Sequence, residues 1–87
     1  MLELYQFESC TPCGRVRRKL QELNLDWVSR TVQPHMDKRD RVIAISGQPL
    51  VPVLVDGANK MIVTEADDIC AYLDETFGPK RAPEREP

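Results

Sequence analysis

The 87-residue sequence has no apolar run approaching the ~20 residues of a membrane-spanning helix, so no membrane segment is expected. It has no excess of basic charge. Its 12 Lys and Arg against 14 Asp and Glu give a net charge of −2, which offers nothing to a polyanion, and no nucleic-acid partner is expected. Its three cysteines are too few for a disulfide scaffold. The opening residues, MLELYQFES, alternate and carry Glu3 and Glu8, unlike a secretory leader. The expected compartment is therefore the cytoplasm, where thiols are kept reduced. What is present is one small domain with 41% hydrophobic residues, enough for a modest core.

Strands and helices alternate along the chain. Residues 1–7 set Leu2 and Leu4 against Glu3 and Gln6, a strand pattern strengthened by Tyr5 and Phe7. Thr11 can cap a helix, and Pro12 suits its first position because the N–H it lacks would be unpaired there. Cys13, Val16, Leu20 and Leu23 then recur at helical spacing on one face, and Arg15, Arg17, Arg18 and Lys19 fall mostly outside it. Residues 26–32 read as a second strand with Trp27 in the core. Residues 33–36 form a loop. Residues 37–46 read as a second helix, with Val42, Ile43 and Ile45 as buried candidates and Gly47 as its stop. Two short strands, 52–55 and 61–63, flank a turn at Asp56-Gly57-Ala58-Asn59 and should form a hairpin. A third helix spans 66–77, with Ile69, Cys70, Leu73 and Phe77 on one face and Gly78-Pro79 ending it. The predicted order is β-α-β-α-β-β-α, an α/β domain over residues 1–78 with a four-stranded mixed sheet flanked by helices. The proline-rich, charged residues 79–87 are expected to form a disordered tail.

Cys10-Thr11-Pro12-Cys13 falls between the first strand and the first helix of a βαβ unit, which is a redox setting for a Cys-x-x-Cys pair. A structural zinc site would need more ligands, and the only others are Cys70, on the apolar face of a remote helix, and His35, in a loop. No metal site is expected. At the helix start, unpaired N–H groups and about half a positive charge from the macrodipole stabilise a thiolate, lowering its pKa below the free value of ~8.5. Cys10, at or just before the cap, is the expected exposed nucleophile. Cys13, one turn in, is the expected resolving thiol. Arg15, Arg17 and Arg18 add positive field if they turn back, although a solvated helix face accounts for at least two of them. Cys70 reads as a core residue and His35 as a solvated loop residue.

Three elements carry a family resemblance: CTPC at the first helix, Val51-Pro52 before the third strand, and Glu65-Ala66-Asp67-Asp68 opening the last helix. Together they resemble a glutaredoxin, and are also similar to the amino-terminal domain of glutathione transferases. The resemblance covers residues 1 to about 77 and implies a thioredoxin-like fold. It implies a dithiol-disulfide oxidoreductase that reduces disulfides, or protein–glutathione mixed disulfides, through Cys10 and Cys13. It implies glutathione as co-substrate with no tightly bound cofactor, disulfide-containing proteins as substrates, and a monomer. The backbone of Val51 would pair with the cysteine of glutathione, and Pro52 matches the family's cis-proline. Ala66 and Asp67 would hold the γ-glutamyl end. In the transferase pattern Glu65 and Ala66 match a Glu-Ser pair. Two alternatives stay open: a glutathione-binding or interaction module without turnover, and an iron–sulfur carrier.

The chain departs from the glutaredoxin pattern in three places. Thr11-Pro12 stands where Pro-Tyr is common. Gln6-Phe7-Glu8 lacks the lysine that meets a glutathione carboxylate, for which Arg15, Arg18 or Arg39 would have to substitute. Thr64-Glu65 replaces a Gly-Gly. Thr64-Glu65-Ala66-Asp67 also fits a helix capping box, compatible with ligand binding or sufficient without it.

Overall fold

A computed structural model describes residues 1–79. Strand β1 (Leu2–Gln6) leads into helix α1 (Thr11–Glu22) and returns as β2 (Val28–Thr31). A short 3-10 turn (Met36–Lys38) precedes α2 (Asp40–Ser46), and the hairpin β3 (Val53–Asp56) and β4 (Met61–Thr64) leads to α3 (Ala66–Phe77). The sheet order is β2-β1-β3-β4. β1 pairs parallel with β2 and antiparallel with β3, with Leu4 opposite both Ser29 and Leu54. This is the expected four-stranded mixed sheet and the thioredoxin-like architecture.

Side-chain alternation along the strands builds two cores. Leu2, Leu4 and Leu54 pack with Val16 and Leu20 of α1 and with Ile69 and Leu73 of α3. Tyr5 and Val53 point the other way and pack with Val32 and with Val42 of α2. The sheet is thus sandwiched, and the end of β1, with the start of β3 beside it, leads to the start of α1.

Several local expectations shift. The cap of α1 is Cys10 rather than Thr11, so Pro12 is the second helical residue and not the first. The reason is that the Cys10 sulfur itself accepts the Cys13 N–H, at 3.2 Å. The second helix begins at Asp40 instead of residue 37, and ends at Gly47 in the left-handed conformation (φ 78°) as its sequence position suggests. Ile43, expected buried, is exposed, because α2 turns only a narrow stripe at Val42 onto the sheet. Trp27 precedes β2 and is half-buried against the first core. Residues 80–87, most of the expected tail, lie outside the described residues.

Candidate functional site

The β1–α1 loop brings Cys10 and Cys13 together at the helix start, where they form a disulfide with a Cα–Cα separation of 5.2 Å. Cys10 was expected to be exposed. It is 8% accessible and Cys13 fully buried, since the pair is tucked into the first turn with the sulfur of Cys10 turned back onto the Cys13 N–H. Cys10 is the less buried of the two.

Beside the pair lies a cleft of about 310 Å³ lined by Pro12, Gln48, Leu50, Val51, Pro52, Thr64, Glu65 and Ala66. Four of the residues named from sequence, Val51, Pro52, Glu65 and Ala66, therefore share one cavity with the proline between the cysteines. Cys10, Cys13 and Asp67 do not line it. The Val51–Pro52 bond is cis, as the resemblance implies. β3 begins only at Val53, so Val51 stands outside the ladder. Gln48 braces this segment: its side-chain oxygen accepts the Leu50 N–H at 2.8 Å and its amide donates to the Leu50 carbonyl at 3.0 Å.

The far wall of the cleft is the start of α3. Its cap is Glu65, at φ 72° and ψ 129°, with no side-chain capping bond. The capping box read in Thr64–Asp67 is therefore not formed, and Asp67 instead meets Arg15 of α1 at 2.7 Å. A non-glycine residue in this backbone region is strained and persists where its surroundings hold it, commonly at binding sites.

The arginines divide into different roles. Arg39, expected as a substitute partner for a carboxylate, is buried. It donates to the carbonyls of Gln33 (2.7 Å), Pro49 (2.7 Å) and Pro34 (3.0 Å) and lies 5.6 Å from the Phe7 ring centroid. It therefore braces the loops behind the site. Arg17 bonds Gln6, Phe7 and Glu8 and is not a solvated surface residue. Arg18 is exposed.

Cys70 sits half-buried at the rim of the core between α1 and α3. Burial pushes its thiol up, against the pull of Arg15 and Lys19. His35 is exposed, as expected of a loop residue. Among the described residues no group of three or more His, Cys, Asp or Glu side chains is arranged to hold a metal. No helix among them is long and apolar enough to cross a membrane.

Two features escaped the sequence reading. Buried Asp56 accepts hydrogen bonds from Tyr72 Oη (2.6 Å) and Asn59 Nδ2 (2.8 Å), tying the hairpin turn to α3. Gln6 is buried at the end of β1. It had a legible signal: Leu2, Leu4 and Gln6 occupy alternate positions, so a polar side chain continues the core-facing row.

A family model for the glutathione S-transferase N-terminal domain matches residues 4–81. The chain belongs to that family. Solved glutathione transferases share the fold of this domain. Leishmania TDR1, a trimeric glutathione transferase, is 27% identical over 93% of this chain and 18% of its own, with a TM-score of 0.79. A glutathione transferase homologue from Drosophila mojavensis with bound glutathione is 24% identical over 88% of this chain and 35% of its own, at 0.80. An epsilon-class transferase from the housefly, Musca domestica, is 22% identical over 92% of this chain and 37% of its own, at 0.82. The chain thus spans well under half the length of each. No curated protein matches the sequence. Of the two likenesses read in the sequence, the transferase-domain one is the one this match bears out.

Proposed function

We propose that the chain is a small glutathione-dependent dithiol oxidoreductase, with residues 1–78 as its domain and Cys10 as the attacking group. The observation that carries this reading is the joining of Cys10 and Cys13 at the start of α1, beside a cleft bounded by Pro12 and by the cis Val51–Pro52 segment. The reduced pair supplies the reagent. A Cys10 thiolate, stabilised by the helix start, attacks one sulfur of a mixed disulfide between a protein and glutathione. The new bond is Cys10–glutathione, and the protein thiolate leaves and takes up a proton. A second glutathione thiolate then attacks the glutathione sulfur, releasing oxidised glutathione and restoring the Cys10 thiolate. Alternatively Cys13 attacks Cys10, releasing glutathione and closing the internal disulfide, which two glutathione molecules reopen.

In this reading the Val51 backbone, free of the ladder, pairs with the cysteinyl portion of glutathione. The N–H groups at the start of α3 around Ala66 receive the γ-glutamyl carboxylate, while Glu65 and Asp67 present acceptors to its ammonium. The chemistry suits a compartment with a reduced glutathione pool, such as the cytoplasm. Reduction of a glutathione mixed disulfide, followed by coupling to glutathione reductase and in parallel to thioredoxin reductase, tests the reading. Turnover that needs glutathione and is abolished by Cys10→Ser supports it. The family match favours a second reading, a glutathione-binding module without turnover. Saturable binding of glutathione with no reduction in either coupled assay would select that one.

A further inference from the structure

Gln6 is a neutral polar side chain buried at the end of β1, where an unsatisfied amide would be costly. Its amide nitrogen donates to Ser29 Oγ of β2 at 2.8 Å and to the Glu8 carboxylate at 3.3 Å. Its oxygen accepts from the Arg17 guanidinium of α1. The same guanidinium donates to the Phe7 carbonyl at 3.4 Å and the Glu8 carbonyl at 3.1 Å, and lies 3.9 Å from the Glu8 carboxylate. The Phe7 carbonyl is also the acceptor for the Cys10 N–H, at 3.2 Å. On the other side of the sheet, the Phe7 ring is covered by Arg39.

We infer that Arg17 is a positioning residue for Cys10: anchored on buried Gln6, its guanidinium holds the Phe7 and Glu8 carbonyls and so fixes the loop from which Cys10 enters α1. The planar fork suits this task, because it reaches three acceptors on one side of the loop at once and the point donor of a lysine does not. The fork also engages Glu8, the one carboxylate of the loop, whose charge opposes a thiolate. The other charged groups on the elements that meet at this helix start are Arg15 and Arg18 of α1, Arg39 behind Phe7, and Glu65, Asp67 and Asp68 at the start of α3.

This inference rests on Cys10 being the reacting thiol, so the test reads that thiol without turnover. In the full chain carrying Cys13→Ser and Cys70→Ala, the rate of Cys10 alkylation by iodoacetamide is followed from acid to alkaline pH, and thermal melting is recorded alongside. Arg17→Met is expected to slow alkylation at neutral pH by about fivefold, and to move the profile to higher pH. Arg17→Lys, which keeps the charge and loses the fork, is expected to restore less than half of the difference. Gln6→Leu, which keeps the charge and removes its anchor, is expected to shift the profile in the same direction as Arg17→Met. An unchanged profile in Arg17→Met, or full restoration by Arg17→Lys together with an unaltered Gln6→Leu, overturns the positioning role. A parent thiol that reacts no faster than free cysteine counts against the oxidoreductase reading instead, and the comparison among variants still decides the role of Arg17.

Discussion

The guanidinium of Arg15 on α1 holds the carboxylate of Asp67 on α3 at 2.7 Å. Asp67 is also the residue expected to receive the ammonium of glutathione, so the pair ties the helix carrying the cysteines to the far wall of the cleft. Asp67→Ala should raise the Michaelis constant for glutathione more than it lowers the maximal rate, because it removes binding and leaves the chemistry in place. Steady-state kinetics with glutathione as the varied substrate checks this. A variant with unchanged glutathione dependence would reduce Asp67 to a partner of Arg15.

The three thiols should separate cleanly by substitution. Cys10→Ser should abolish reduction of glutathione mixed disulfides. Cys13→Ser should keep part of it, since external glutathione can resolve the Cys10 adduct. Cys70→Ala should leave turnover intact, because burial pushes that thiol up. Equal loss from the Cys10 and Cys13 substitutions would reverse or merge the assigned roles.

Glu65 offers a test of stored strain. Glycine tolerates its φ of 72° without a Cβ conflict. Glu65→Gly should therefore raise stability by about 1 kcal/mol while weakening glutathione binding through the lost carboxylate. Melting curves and titration of glutathione read the two effects separately. A loss of stability would show that the Glu65 side chain holds the turn.

Asp56 predicts an acid limb in stability. Burial pushes its carboxyl up, but hydrogen bonds from Tyr72 and Asn59 and the nearby chain amino group outweigh this and hold it below the usual value. A carboxyl lowered on folding contributes stability that is present above its unfolded value of about 4 and lost as pH falls through the lower folded value. Removing the acceptor with Asp56→Ala should cost about 1–3 kcal/mol at neutral pH. Asp56→Asn should flatten the fall in melting temperature between neutral and acid pH. Parallel profiles in parent and Asp56→Asn would assign that limb to other carboxylates.

Arg39 should be irreplaceable. Arg39→Met strips three carbonyls of their donor and removes the cover of Phe7, a loss of about 2–4 kcal/mol. Lysine should recover little of it, as a single ammonium cannot span Gln33, Pro34 and Pro49. Denaturant midpoints of the two variants decide this.

The features legible in the sequence were those specified by neighbours along the chain. Helix α3 runs from Ala66 to Phe77 as its periodicity and the Gly78-Pro79 stop imply, and the hairpin turn follows from Asp56 to Asn59. Val51, Pro52, Glu65 and Ala66 were named by resemblance, and they converge on one cavity. The features that escaped are set by side-chain contacts that the spacing of residue types along the chain does not show. The start of α2 was misplaced because Arg39 turns its side chain onto loops on both sides of that helix. Thr11 looks like a cap in isolation, and only the fold of the turn shows a sulfur in that role. Arg17 resembled a surface arginine because nothing nearby announces that Gln6, eleven positions back, is waiting under it.

The placement of β1 also constrains how the chain can be made. Leu2 to Gln6 form an interior strand whose second neighbour is Val53 to Asp56. On a ribosome, β1 stays half-paired until the hairpin has cleared the exit tunnel, so the sheet cannot consolidate strand by strand as it emerges. Throughout that interval Cys10 and Cys13 follow an unfinished strand, open to oxidants and to other thiols. The closed sheet beside the pair arrives only once β3 and β4 have been made.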